Sequence, residues 1–203
     1  MLYRKISTYL EEYLRSENDK ILILEGARQI GKSYIIREIG RKVYPNFIEV
    51  NFVEDDEGPQ LFKNIHNVSD FYFALSSVAG SQLHEYNDTL IFLDEIQHYP
   101  QYLTLLKFLR QDHNYRFITS GSLLGISLRK TTSIPVGSVI RKRMYQLDFE
   151  EWLIANGFGK EALKQLKECY HGRQSLPENM HEYVLSLFKR HLLVGGLPDV
   201  VNT

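Results

Sequence analysis

Ile21-Leu-Ile-Leu-Glu-Gly26-Ala-Arg-Gln-Ile-Gly31-Lys32-Ser33 decides the reading of this chain. A short apolar run passes directly into G-x-x-x-x-G-K-S, and a helical pattern follows. Strand, glycine loop and helix in that order make a P-loop, and a chance match has odds of roughly 1% in a chain this long. A triphosphate carries dense negative charge and must approach the backbone closely. Gly26 and Gly31 allow the angles that turn successive amides toward one anion. The helix opening near Lys32 adds free amides and the positive end of its dipole. Lys32 supplies a point charge for the β- and γ-phosphates, and Ser33 a hydroxyl for Mg²⁺. The expected nucleotide-binding set is Gly26, Ala27, Arg28, Gln29, Ile30, Gly31, Lys32, Ser33 and Tyr34. A mere glycine turn would leave the Lys-Ser pair without a task.

Outward from the loop, strands and helices alternate. Leu2, Ile6, Tyr9, Leu10, Tyr13 and Leu14 recur at helical spacing, so the chain opens with an amphipathic helix. Residues 21–25 form the first strand, 32–39 a helix stopped by Gly40, and 47–52 a second strand. The acidic run 54–57 with Gly58-Pro59 reads as a loop, and residues 69–79 as a helix. Thr89-Leu-Ile-Phe-Leu93 is continuously apolar, as a strand buried on both faces requires. Pro100 introduces a helix over 101–110, and 115–119 is a fourth strand ending in Ser120-Gly121-Ser122. Residues 127–138 read as a mobile loop and 139–147 as a fifth strand. Asp148-Phe-Glu-Glu151 reads as a capping box opening a helix that stops at Gly157, and the pattern is helical after Glu161. This alternation predicts an α/β, three-layer sandwich with a parallel sheet. The expected division is an N-terminal helix (1–20), a P-loop core (21–157) and a helical lid or junction (158–203).

Composition narrows the classes. The chain has 203 residues, 43% hydrophobic and 24% charged, enough for one sizeable domain or one with an appendage. A net charge of −1 gives no global electrostatic case for nucleic acid. The single cysteine, Cys169, excludes an internal disulfide and fits a reducing compartment. The N-terminus lacks an apolar signal core, and no apolar run approaches the roughly 20 residues that span a bilayer. The expectation is a cytoplasmic protein with no membrane partner. The seven histidines form no metal pattern.

Asp94-Glu95, at the end of an apolar strand, narrows the chemistry. Asp94 can reach Mg²⁺ through water opposite Ser33, and Glu95 can orient and deprotonate an attacking water. The bland alternative is a solvated helix start. If the fourth strand lies between the first and third, its end points at the γ-phosphate; Ser120 is the preferred hydroxyl there, with Thr119 and Ser122 as rivals and a plain Ser-Gly turn as the alternative. The expected catalytic residues are thus Glu95, Lys32 and Ser120, and the metal ligands Ser33 and Asp94. Arg28 lies in the loop, and Arg129, Arg141 and Arg143 follow the fourth strand, where a subunit contact could use them. A solvated basic face is the rival reading. Arg141-Lys-Arg143 is the one local basic cluster pointing toward nucleic acid.

Gly26-Ala-Arg-Gln-Ile-Gly-Lys-Ser33, Leu93-Asp-Glu-Ile-Gln97, Ser120-Gly-Ser-Leu-Leu124, Met144-Tyr-Gln-Leu-Asp-Phe-Glu-Glu-Trp152 and Leu192-Leu-Val-Gly-Gly-Leu-Pro-Asp199 occur in this order. Together they resemble the prokaryotic AAA+-type ATPases that carry a C-terminal domain of unknown function. The resemblance covers nearly the whole chain. It implies the additional-strand sheet order 5-1-4-3-2, phosphate and magnesium binding by Lys32 and Ser33, magnesium held by Asp94, and Glu95 as catalytic base. It also implies that Gly195-Gly196-Leu-Pro198 lies at the junction to a nuclease-like C-terminal domain, so that a chain stopping at Thr203 is expected to be a fragment. Ser33 stands where threonine is common in the family. Arg190 is a candidate second sensor by position only.

The leading function is Mg-dependent ATP binding and hydrolysis, coupling nucleotide state to a protein partner, to self-association or to the C-terminal domain. An ATP-dependent binding module with little turnover, acting on DNA, and a P-loop small-molecule kinase remain open. Adjacent Asp94-Glu95 favours water over an acceptor hydroxyl, and no Asn-Lys-x-Asp guanine motif occurs. For adenine, residues 3–6 are a positional candidate.

Overall fold

The computed structural model describes residues 2–80, 83, 88–122 and 137–201. Contacts divide the chain into two compact units, residues 8–144 and residues 1–7 with 145–203.

In the larger unit, the strands are β1 (Ile21–Glu25), β2 (Asn46–Asn51), β3 (Thr89–Asp94), β4 (Arg116–Gly121) and β5 (Val139–Arg143). They form one sheet in the order β2-β3-β4-β1-β5, and every neighbouring pair is parallel. This is the predicted order read from the other edge. Every residue of β1 and β3 is buried, which explains why both are uninterrupted apolar runs up to their last residue.

Helices cover both faces. Ile23, Ile91, Leu93 and Phe117 face one cluster, built with Phe71 and Leu75 of α4 (Val68–Ala79) and Leu105 and Leu109 of α5 (Tyr102–Asp112). Phe52, Phe62, Phe71, Tyr99 and Tyr102 pack as tilted and edge-to-face aromatic pairs in that layer. Side chains alternate along a strand, so Leu90 and Phe92 face the other way. There Gly40 of α2 (Lys32–Val43) sits so close that a β-carbon on it would lie 3.1 Å from Leu90 Cδ2. Helix α1 (Ile6–Arg15) buries Leu10, Tyr13 and Leu14.

Four sequence expectations are corrected, the first being the stop at Gly40, which lies inside α2 because the helix continues to Val43 and ends at Tyr44. The acidic run is helix α3 (Phe52–Glu57), not a loop. Asn51 caps it by accepting from the Val53 amide at 3.0 Å. Glu54 and Asp55 lie in the first turn, where the helix dipole favours them, and Asp55 turns inward to accept from Tyr99 Oη at 2.6 Å and from the Phe62 amide at 3.1 Å. The fourth strand runs on through Ser120 and Gly121. The fifth stops at Arg143, although the Met144 amide still donates to Glu25 O at 2.8 Å. The mobile loop expected over 127–138 falls mostly outside the described residues, as does Arg129.

The smaller unit is helical, with α6 (Phe149–Ala155), α7 (Lys160–Gly172), α8 (Glu178–Val194) and α9 (Pro198–Val201). The capping box forms: Asp148 accepts from the Glu151 amide at 2.9 Å, and Glu151 accepts from the Asp148 amide at 3.2 Å. Glu151 also takes the buried Arg4 guanidinium at 3.2 Å and the Lys5 amide at 2.6 Å. Leu147, Trp152, Leu153 and Leu163 form the core of this unit. The Leu147 amide donates to Gly196 O at 2.8 Å, and a β-carbon on Gly196 would lie 2.2 Å from Leu147 O, so only glycine fits. Two sequence motifs 40 or more residues apart thereby meet.

Among the described residues, no helix is long and apolar enough to cross a membrane.

Candidate nucleotide site

The sheet order brings β1, β3 and β4 side by side, and their carboxyl ends carry the residues singled out from sequence. The loop from Gly26 to Gly31 leaves β1 and enters α2, whose N-cap Gly31 has φ 87°. Gly26 is tightly confined: a β-carbon there would lie 2.4 Å from Met144 O and 2.6 Å from Ile30 Cδ1. Gln29 also adopts a positive φ, 63°. Ala27, Arg28 and Gln29 at the loop tip and Tyr34 on α2 are exposed, while Ile30 is buried.

Lys32 turns back under the loop. Its ammonium donates to Ala27 O at 2.7 Å, Ser122 Oγ at 3.1 Å and Gly26 O at 3.3 Å. Burial pushes its pKa below the usual lysine value, against the pull of Glu95 and Asp94 and with a small contribution from Arg28.

Asp94, the last residue of β3, is 2% exposed. Its Oδ1 accepts from Ser120 Oγ and from the Glu95 amide, the latter at 3.1 Å. Burial raises its pKa above the usual aspartate value, while hydrogen bonds from the Ser120 and Ser33 hydroxyls act in the opposite direction. A hydroxyl from the P-loop helix and a buried carboxylate from β3 therefore meet. Such a pair of hard oxygen donors suits Mg²⁺, and a buried carboxylate gains from a divalent cation.

Glu95 leaves the strand in left-handed geometry, φ 56° and ψ 46°, and a 3₁₀ turn over Ile96–His98 follows. Its amide also donates to Ser120 Oγ at 3.3 Å. Its carboxylate accepts from Gln97 Nε2 and, at 3.5 Å, from Ser122 Oγ. The strain of a non-glycine residue in this region is of the kind that gathers at functional sites.

The structure therefore brings Lys32, Ser33, Asp94, Glu95, Ser120 and Ser122 together. Ser120 is fully buried and contacts Asp94 and the Glu95 backbone, whereas its rival Ser122 contacts Lys32 and the Glu95 carboxylate. Thr119 Oγ1 donates to Ser120 O. Arg141 donates to Glu25, the residue before the loop, and Arg143 lies 3.8 Å from the same carboxylate. The local basic cluster is thus partly neutralised within the chain. Gln97, the last residue of Leu93-Asp-Glu-Ile-Gln97, is a site residue that sequence reasoning misses. Its signal was its place two residues after Glu95.

A family model described as an AAA domain matches residues 18–153, about two thirds of the chain. The chain belongs to the AAA domain family. This AAA domain is a nucleotide-binding P-loop protein of the AAA+ ATPase class. Among solved structures, it is similar to Aeropyrum pernix Orc1 in complex with DNA, at 18% identity and TM-score 0.51 over 77% of this chain and 50% of that one. It is also similar to Hsp104 with ATPγS and FITC-casein, at 15% identity and TM-score 0.53 over 97% of this chain and 35% of that one. At these identities the likeness shows the fold alone. The chain spans half or less of the length of these proteins. No curated protein matches the sequence.

Proposed function

We propose that this AAA domain binds Mg-ATP at the Gly26–Ser33 loop and hydrolyses it, using the nucleotide state to act on a partner. The observation that carries the reading is the convergence of Lys32 and Ser33, at the start of α2, with Asp94 and Glu95 at the end of β3, bridged by Ser122 just past β4. In this reading the amides of residues 26–34 cradle the phosphates, and Lys32 exchanges its loop carbonyls for phosphate oxygens. Ser33 and Asp94 hold Mg²⁺, which when bound neutralises charge on the phosphates. Glu95 accepts the proton of the attacking water. Ser120 fixes Asp94 and the Glu95 backbone, and Ser122 stands between Lys32 and Glu95.

Residues 8–144 are the nucleotide unit in this proposal. The helical unit, including the candidate second sensor Arg190, would report nucleotide state to a further domain, a protein partner or a second copy. The proposed setting is the cytoplasm. A DNA-binding module is the weaker reading, because Glu25 already holds Arg141 and Arg143. A kinase is weaker too, because Glu95 beside Asp94 suits water activation.

Calorimetric titration with Mg-ATP, with Mg-GTP as control, tests the proposal. Selective ATP binding that disappears in Lys32→Ala, together with phosphate release, supports it. A folded chain that binds no nucleotide refutes it.

A further inference from the structure

Gln97 uses both ends of its carboxamide. Nε2 donates to Glu95 Oε2, and Oε1 accepts from the Ser122 amide at 3.0 Å. The 3₁₀ turn after Glu95 brings this side chain back beside the carboxylate. Ser122 Oγ reaches the other carboxylate oxygen at 3.5 Å while accepting from Lys32 at 3.1 Å. Glu95 is therefore gripped on both oxygens, and the end of β4 is tied to the turn that follows β3. Only a carboxamide closes this bridge. A glutamate at 97 offers acceptors to an acceptor, and a leucine offers nothing.

We infer that Gln97 is a positioning residue that fixes the Glu95 carboxylate for proton abstraction, bracing it against the Ser122 end of strand β4. The inference rests on the hydrolytic reading proposed above. Gln97 acts through Glu95 and makes no contact with nucleotide in this role. Loss of the bridge should cost turnover and spare affinity, because a carboxylate displaced by a fraction of an ångström still leaves the phosphate cradle intact.

The experiment measures kcat, KM and calorimetric ATP affinity for wild type, Gln97→Leu, Gln97→Glu, Glu95→Gln and the double variant Glu95→Gln with Gln97→Leu. Hydrogen exchange at the Ser122 amide is followed by NMR. Both Gln97 variants should lower kcat about 10–100-fold, the usual range when a supporting hydrogen bond to a working ligand or base is lost. KM and ATP affinity should stay within about threefold, and the Ser122 amide should exchange faster in Gln97→Leu. The double variant should be no slower than Glu95→Gln alone. Wild-type turnover in Gln97→Leu, an equal loss in the Glu95→Gln background, or full activity in Gln97→Glu would each overturn the inference and leave the hydrolytic reading standing. If Gln97→Leu fails to fold, Gln97→Glu decides. A wild-type chain that binds ATP without turnover, or an undiminished Glu95→Gln, overturns the hydrolytic reading and this role with it.

Discussion

Gly26→Ala separates a glycine kept for its sterics from one kept by habit of sequence. The new methyl group would stand 2.4 Å from Met144 O and 2.6 Å from Ile30 Cδ1, about 1 Å inside ordinary contact. Ile30 is 1% exposed and its methyl has little room to turn away. Met144 is 2% exposed, and its amide is held by Glu25 O at 2.8 Å, so its carbonyl yields only if that bond is strained. Overpacking of this kind costs about 1–3 kcal/mol. A weakened hydrogen bond adds about 0.5–1.5 kcal/mol. The expected loss is about 2–4 kcal/mol, a large part of the roughly 5–15 kcal/mol that stabilises a typical domain. For a chain of this length the melting temperature should fall by about 5–15 °C. Urea unfolding measures the free energy, and a thermal melt checks it. Gly159→Ala is the control: φ is −65° and nothing lies within 4 Å of its added carbon, so its effect should stay within about 0.5 kcal/mol. A Gly26→Ala protein as stable as the Gly159→Ala one would refute the argument that the loop is seated hard against Met144.

Lys32→Ala should lower ATP affinity by at least about 100-fold, a loss of about 3 kcal/mol or more, with the fold retained; unchanged calorimetric affinity would remove Lys32 from phosphate binding. Glu95→Gln should bind ATP normally and hydrolyse it about 10²–10⁴-fold more slowly, and phosphate release at saturating ATP reads this directly. Arg141→Ala leaves Glu25, the residue before the phosphate loop with its side chain 11% exposed, with only Arg143 paired to it. The variant should lose about 1 kcal/mol of stability, and its loss of ATP affinity relative to wild type should be larger at low salt than at high salt, since added salt screens repulsion from the carboxylate left with a single partner. Tyr13 is pushed up to about 12 by burial, ahead of the opposing pull of Arg116. A raised folded pKa means stability that is complete below the unfolded value near 10 and is lost as pH rises toward 12. Tyr13→Phe should therefore flatten the alkaline fall in stability by up to about 1.4 kcal/mol per pH unit across that window.

What was legible in the sequence shares one property: it is local. The strands β1 and β3 announce themselves because burial on both faces demands near-continuous apolar runs, here Ile21–Leu24 and Leu90–Leu93. The capping box at Asp148 and Glu151 is written in residues three apart. The P-loop is contiguous because one anion must meet successive amides. Where a segment depends on distant partners, local reading misleads. Helix α3 looks like a polar loop because its acids mimic a solvated run, and one buried partner of Asp55, Tyr99, is 44 residues away. Trimming of the fifth strand is equally non-local, since β5 lasts only as long as β1 lies beside it.

The candidate site shows the same division at the level of single atoms. Residue types at Lys32, Ser33, Asp94 and Glu95 could be named because each chemical task admits few side chains. Sequence prefers Ser120 over Thr119 and Ser122 without dividing their roles, because three hydroxyl-bearing positions lie within four residues and successive strand residues point to opposite faces. Ser120 turns toward Asp94, buried between β3 and β4, while Ser122, one residue past the strand, is released to meet Lys32 from 90 positions away and Glu95 from 27. Gln97 escaped for a related reason. A glutamine two residues after an acid is ordinary in any turn, and its meaning lies in the geometry of that turn. The left-handed Glu95 folds the carboxamide back onto the carboxylate and, in the same stroke, toward the end of a different strand. Motif residues are constrained by what they must do to a ligand, whereas bracing residues are constrained by where two chain segments happen to meet, and only the second kind needs the fold to be seen.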